Sequence, residues 1–308
     1  LPSIWCSDAT PGLRSFPGGT AFPGGLTMAA TWNPALIEEV AATIAEEFRA
    51  TGVKVLLGPG VNIYRVPTCG RNFEYMGEDP FLAGKMASAY IRGAQSRGVA
   101  TTVKHFVANN SDYDRHKTDS VVDERTLREI YLPAFKMAVE EGGTHGLMSA
   151  YNPVNGTYAS ENSHLLIDIL REEWGYKGFV VSDWVSVYST EGPIKNGLDL
   201  EMPSGAWINE EKVTPLLQDG VLTEKDIEAP LRRFLTAFFE AGFYDTPQID
   251  TEAEIHTPEH IALAEKAAID GMVLLKNQGD LLPLDPNEYK HVVVMGRTAQ
   301  DTTTGGGG

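Results

Sequence analysis

Asp183 closes the stretch Gly-Phe-Val-Val-Ser-Asp-Trp at residues 178–184, where three apolar residues give way to a polar pair and an indole. A continuous run of this kind reads as a strand buried on both faces, as in a parallel sheet. A carboxylate at the C-terminal end of such a strand stands where α/β folds bind their ligands. On local grounds Asp183 either reacts with a ligand or caps the next segment, and Trp184 offers an indole to a flat apolar ligand face. Asp8, Lys104, His105 and Tyr151 also stand at or just after strand-like runs, while Arg71 belongs to a long loop at 58–79 that also holds Asn72 and Glu74. Singly, each has a structural reading: a buried Arg pairs with a carboxylate, and a strand-end His is a satisfied core group. Converging on one rim, they form a set of cations, acceptors and a carboxylate suited to gripping a polar ligand and attacking it. The same rim allows a second chemistry, in which Lys104 serves as an amine nucleophile for a Schiff base.

The elements that must position this rim alternate. Strand-like runs fall at 3–7, 53–57, 99–103, 146–150, 178–182 and 198–202. Between them the helices carry readable punctuation. Asn33 caps and Pro34 opens a helix whose Leu36, Val40, Ile44 and Phe48 share one face. Asp79-Pro80 opens a second helix, closed by Gly98. Asp123 caps a third that runs to Gly142-Gly143 with Pro133 inside as a kink. A fourth spans 163–175 between a Ser cap and a Gly stop. A fifth runs from Thr223 to a stop at Gly242, with Asp226 placed for a capping box. The alternation predicts an α/β fold, a parallel (β/α)8-type TIM barrel over residues 1–243. Only six strands are clear where a complete barrel has eight, so the barrel is expected to be incomplete or distorted unless a strand lies upstream of Leu1. Residues 244–258 read as a linker. Beyond it come a helix at 258–277, a turn-rich stretch at 281–286 and a buried strand at 291–295. One helix and one strand cannot bury their own apolar faces, so 259–308 reads as the start of a second domain. The glycines at 305–308 lack any phosphate-loop context and read as a turn.

Bulk composition narrows the function classes. The 308 residues are 42% hydrophobic, enough for one large or two smaller domains, and the net charge of −17 comes with no basic stripe. That balance argues against nucleic acid and anionic membrane and suits a neutral or cationic small ligand. Cys6 and Cys69 match no metal spacing and are too few for a disulfide framework. No metal or cofactor motif is present, and no apolar run approaches the roughly 20 residues of a membrane span. The chain opens in what reads as a strand already under way, so a leader upstream is compatible with it and the compartment stays open.

Eight blocks in order carry a resemblance. They are WCSDATPGLR (5–14), TAFPGGLTMAATWNP (20–34), LLGPGVNIYRVPTCGRNFEYMGEDPFLAG (56–84), VKHFVANN (103–110), DERTLREIYLPAF (123–135), LMSAYNPVNG (147–156), GFVVSDW (178–184) and GLDLEMP (197–203). With these the chain resembles glycoside hydrolase family 3, in its β-glucosidase branch, over nearly its whole length. The resemblance implies an exo-acting retaining β-glucosidase acting on a β-glucoside or β-linked oligosaccharide. Asp183 would be the nucleophile. Arg71, Lys104 and His105 would hold hydroxyls of the terminal sugar, and Asp8 would grip its 4- and 6-hydroxyls. Tyr151 would lie close to the nucleophile, with Met148 and Trp184 as apolar walls. A carboxylate suits the attack because it is ionised at neutral pH and forms an ester that water can still cleave.

The resemblance also implies an α/β sandwich domain after the barrel, which would complete the site and supply the acid/base glutamate. Glu74, Glu161 and Glu201 are the in-chain carboxyls to weigh for that role, and none is assigned to it. The N-acetylglucosaminidase branch uses a His-Asp pair after its Lys-His strand, and His116 and Asp119 fall in that region. This chain, however, follows Phe106 with Val-Ala-Asn-Asn rather than Pro-Gly-His and so reads as the glucosidase version. A β-xylosidase or dual-activity relative is the alternative enzyme, a sugar-binding remnant lacking its acid is the alternative outside catalysis, and a homo-oligomer is compatible with either.

Overall fold

The computed structural model describes residues 3–8, 10–14 and 16–299. The glycines at 305–308, read above as a turn, lie outside the described residues. Five parallel strands form one curled sheet in the order β1-β2-β3-β4-β7. They are β1 (Trp5–Asp8), β2 (Val53–Leu57), β3 (Ala100–Phe106), β4 (Gly146–Ser149) and β7 (Phe179–Ser182), and β5 (Pro153–Val154) and β6 (Thr157–Tyr158) make a separate antiparallel hairpin. This is an incomplete (β/α) barrel. Strands β2, β3, β4 and β7 are buried at every position, which is why their sequences run apolar or β-branched instead of alternating.

The sixth expected strand, 198–202, does not form. Leu200 makes an isolated bridge to Val181, and the Asp199 carboxylate accepts the Val180 N–H at 2.7 Å where a ladder carbonyl would. Asp199 is in turn held by Arg171 at 2.8 Å and Arg233 at 2.7 Å. Backbone bonds still join the two segments, with the Asp199 and Leu200 N–H groups donating to the Val180 carbonyl at 2.8 and 3.1 Å and Ser182 N–H to the Leu200 carbonyl at 2.9 Å, but the carboxylate takes the place of one ladder partner.

Helices cover the outside of the sheet. After the short α1 (Gly25–Ala30), α2 (Pro34–Thr51) begins at the expected cap, with Asn33 Oδ1 accepting the Leu36 N–H at 3.2 Å. Its buried face is Leu36, Ile37, Val40, Ala41, Ile44, Ala45 and Phe48, with one acid among them, Glu47. α3 (Pro80–Gln95) is capped by Asp79, which accepts the Leu82 N–H at 2.7 Å. The third helix is divided into α4 (Glu124–Thr126), a π-helical turn at Leu127–Tyr131 and α5 (Pro133–Glu140). Pro133 starts a new helix rather than bending an old one, and the wider turn before it closes through Leu132 N–H donating to the Leu127 carbonyl at 2.9 Å. His164–Glu173 is likewise π-helical, and its first turn is capped by Asn162, not Ser163: Asn162 Oδ1 accepts the Leu165 N–H at 3.3 Å.

α6 (Glu191–Lys195) and α7 (Glu210–Gln218) precede α8 (Glu224–Glu240), whose capping box joins Thr223 and Asp226 as expected. α9 (Pro258–Asp270) is shorter than the 258–277 reading and packs on α1 and α2. Glu47 holds it there, accepting from Thr20 N–H at 2.9 Å, Thr20 Oγ1 at 2.7 Å and His256 N–H at 3.0 Å, with His260 Nδ1 2.8 Å away. The expected buried strand at 291–295 is absent. No described strand pairs with it, and Val292, Val293, Val294 and Met295 are exposed coil. No helix among the described residues is long and apolar enough to cross a membrane.

Candidate active site

The C-terminal ends of the strands open into a cleft of about 1330 Å³. Asp8 enters it from β1, Lys104 from β3, and Arg71 and Glu74 from the loop after β2. Met148 and Tyr151 come from β4 and the turn after it, and Asp183 and Trp184 from the end of β7. Seven of the eight residues singled out from sequence therefore share one wall. The eighth, His105, is fully buried behind them. Outer walls come from residues 10–14 and 16–24 and from Ile261, Ala264 and Glu265 of α9.

Asp183 is 5% exposed and surrounded by donors. Its Oδ1 accepts the Trp184 N–H at 2.7 Å, and its Oδ2 lies 3.3 Å from Arg71 Nη1 and 3.3 Å from His105 Nε2. Tyr151 lines the cleft beside the same carboxylate. Burial pushes the Asp183 carboxyl up from its ordinary value, and the Arg71 charge, the Trp184 amide, the Lys104 charge and the Tyr151 hydroxyl oppose that rise without cancelling it. Burial likewise pushes the Tyr151 phenol up, with the Asp183 charge adding to it.

Glu74 organises the cations. Its Oε1 is 2.6 Å from Arg71 Nε and its Oε2 is 3.2 Å from Lys104 Nζ, with all three side chains buried or nearly so. Lys104 Nζ also donates to Asp8 Oδ1 at 2.5 Å. Burial alone would lower the Lys104 amine, but Glu74 and Asp8 reverse that and hold it above its ordinary value. A lysine kept protonated in this way is no amine nucleophile, which removes the support for the Schiff-base reading. Asp8 remains open to the cleft, with its side chain 42% exposed and Arg14 3.7 Å away. Although burial acts to raise it, Lys104, Arg14 and Arg71 hold its carboxyl below the ordinary value. His105 is pushed well below the usual imidazole range by burial first and then by Arg71, Lys104 and Arg115, so it is neutral. Its Nδ1 lies 2.9 Å from the Tyr75 hydroxyl, while Asn62 accepts its backbone N–H at 2.8 Å.

The other carboxyls weighed from sequence are occupied or elsewhere. Both oxygens of Glu74 face cations, Glu161 accepts from Ser189, and Glu201 accepts the Trp207 and Ile208 amides. Asp119 accepts the Gly156 N–H at 3.1 Å, whereas His116 Nδ1 is 2.8 Å from Tyr188 Oη, so the two show no pairing. Reading strand ends alone missed Tyr75, which orients His105, and Arg115, whose guanidinium lies over the Tyr151 ring. Both sit in loops within or beside the quoted blocks, and no strand-end pattern points to them.

Comparison with known proteins identifies the family. The family model described as the glycosyl hydrolase family 3 N terminal domain matches residues 1–237. The chain is 43% identical over its whole length to a β-glucosidase of Rhizobium radiobacter, covering 38% of that protein. It is 42% identical over 92% of its length to thermostable β-glucosidase B of Acetivibrio thermocellus, covering 39% of that protein. Among solved structures, β-glucosidase 3B of Thermotoga neapolitana, in complex with glycerol, superposes with a TM-score of 0.88 at 41% identity, over 93% of this chain and 42% of that one. The chain thus spans about two fifths of the length of the relatives it matches.

Proposed function

The chain belongs to glycosyl hydrolase family 3, and from that premise we propose that it is the nucleophile-bearing part of a retaining β-glucosidase that removes terminal β-D-glucosyl residues. The observation that carries this reading is Asp183, a buried carboxylate turned into a large cleft and served by Arg71 and the Trp184 amide. Asp183 attacks the anomeric carbon while the aglycone oxygen departs with a proton, giving a covalent glycosyl-enzyme. Water then attacks the same carbon and returns Asp183 to its carboxylate form. Relatives named β-glucosidase, one of them in complex with glucose, support the sugar class. Arg71, Lys104 and Asp8 present charged groups that pair with sugar hydroxyls. Met148 and Trp184 supply the apolar wall. Asp8 favours glucose over xylose, because its exposed carboxylate suits a contact with the 6-hydroxymethyl. His105 is too deep to meet the sugar unless the site opens, and its contact is with Asp183 itself.

The proton for the departing aglycone requires a second carboxyl roughly 5–5.5 Å from the first. With Glu74 engaged by two cations, we assign that acid to a segment beyond the barrel. The helix α9 and the residues after it, following the linker at 244–258, are on this reading the beginning of the α/β sandwich domain.

A 2-deoxy-2-fluoro β-glucoside with a good leaving group tests the proposal. Peptide mapping is expected to find the label on Asp183, and Asp183→Asn is expected to take up none. A label on any other residue refutes the assignment, and glucose binding with neither label nor turnover in the whole protein points to a sugar-binding remnant.

A further inference from the structure

His105 is held at three points beside Asp183. Asn62, itself buried, grips both of its backbone polar groups: Oδ1 accepts the His105 N–H at 2.8 Å, and Nδ2 donates to the His105 carbonyl at 3.0 Å. The third point is the ring, whose Nδ1 lies 2.9 Å from the Tyr75 hydroxyl, with both side chains sealed from solvent. Tyr75 has little room to leave that contact, because Gly60 packs so closely on its ring that a Cβ there would meet Tyr75 Cδ1 at 2.8 Å. At the other end of the imidazole, Nε2 is buried and has no aligned hydrogen-bond partner among the described residues. Asp183 Oδ2 stands 3.3 Å from it.

These contacts leave the ring one consistent protonation. A neutral imidazole carries its proton on one nitrogen and a lone pair on the other, and the bond made by one nitrogen sets the state of the other. With the proton on Nδ1, the Nε2 lone pair would face a carboxylate oxygen at 3.3 Å, and the buried Tyr75 hydrogen would have no acceptor among the described residues. With the proton on Nε2, Tyr75 donates to Nδ1 and the Nε2–H is presented to Asp183. A second ring proton is opposed by burial and by the Arg71, Lys104 and Arg115 charges. We propose that Tyr75 is a positioning residue for the nucleophile: its hydroxyl holds His105 as the Nε2–H tautomer, so that the imidazole meets the Asp183 carboxylate as a donor. The contact is loose at 3.3 Å, as catalytic hydrogen bonds often are before they tighten in the transition state. A donor fixed in place by the fold costs no rearrangement at the moment of reaction.

The proposal rests on Asp183 being the nucleophile, and its test separates the two. In the whole protein carrying nitrogen-labelled histidine, protonated and bare ring nitrogens resonate far apart, so the spectrum reads the tautomer directly. His105→Leu identifies the signals by their loss. The parent is expected to show His105 with Nε2 protonated and Nδ1 bare. Tyr75→Phe is expected to move the Nδ1 signal, as its lone pair loses a donor, and to lower kcat/KM roughly tenfold, the scale of one hydrogen bond to a charged group. Adding Tyr75→Phe to His105→Leu is expected to cost nothing more, since Tyr75 acts through the ring. A parent spectrum with Nδ1 protonated, or with both nitrogens protonated, overturns the proposal without any variant having to fold. An unmoved Nδ1 signal or an unchanged kcat/KM in Tyr75→Phe overturns it too, as do losses that multiply in the double variant. Labelling by the fluoro-glucoside on a residue other than Asp183 overturns the nucleophile assignment instead, whichever tautomer the spectrum shows.

Discussion

Glu74 sits between Arg71 and Lys104 with 5% of its side chain exposed, and its two oxygens are divided between the two cations. Replacing it by Gln keeps the shape and removes the charge, leaving two buried cations to share Asp8 and Asp183. Glu74→Gln is therefore expected to lower the unfolding free energy by about 3 kcal/mol, the scale of breaking a buried ion pair, measured by urea titration. Asp183 has the opposite sign. Its folded carboxyl is raised by burial, so its contribution to stability is present below the unfolded value of 3.8 and is lost as pH rises through the folded one. Ionised at pH 7, Asp183 costs stability, and Asp183→Asn is expected to show a higher Tm than the parent at pH 7. That gap should close as the pH falls towards the carboxylate range, and a lower Tm at pH 7 refutes the sign. His105 adds a separate slope. Burial, with Arg71, Lys104 and Arg115, depresses its imidazole far below 6.5, so the unfolded chain takes up a proton that the fold refuses. Stability is then full above about pH 6.5 and falls below it. Half-buried His145 acts in the same direction, while His164, raised near the surface by Glu124 and Asp168 against a burial effect that lowers it, opposes them.

The sheet-covering helices α2 and α3 approach each other at a glycine. A Cβ at Gly93 would meet the Glu38 carbonyl oxygen at 2.1 Å, and that neighbour is backbone that cannot turn aside. Alanine is the better helix former by about 1 kcal/mol, but overpacking against backbone costs more. Gly93→Ala is expected to be net destabilising by about 2 kcal/mol in thermal or urea unfolding, and a neutral or stabilised variant refutes the steric argument. The same scale shows what the residues made legible. The caps at Asn33 and Asp79 are local, one side chain serving one amide three residues on, and local rules find them. The hairpin β5–β6 was equally local and went unread: Asn155 and Gly156 both have positive φ, the turn that an Asn-Gly pair announces. The break at 198–202 was not legible, because it depends on distant partners. Arg233 and Arg171 hold the carboxylate that breaks the 198–202 ladder, and neither is near it in sequence.

At the scale of the molecule, much of the rim was legible because strand-end positions follow from alternation, and Asp8, Lys104, Tyr151, Asp183 and Trp184 do line one cleft. The distances within it were not, since whether Lys104 meets Asp8 is fixed by how far the sheet curls. The apolar run at 291–295 shows the same limit, for a strand needs a neighbour that its own residues cannot announce. One consequence follows from the sheet order β1-β2-β3-β4-β7, in which spatial order repeats chain order. A polypeptide emerging from its amino end can lay each strand against the edge already in place, with no early strand waiting for a late one. Pulsed hydrogen exchange during refolding is expected to protect the amides of β2 and β3 no later than those of β7, and the reverse order would refute this. Assembly in that direction puts Asp8, Arg71 and Lys104 in place while Asp183 is still unbuilt, so the groups proposed to hold a ligand are finished before the one proposed to attack it.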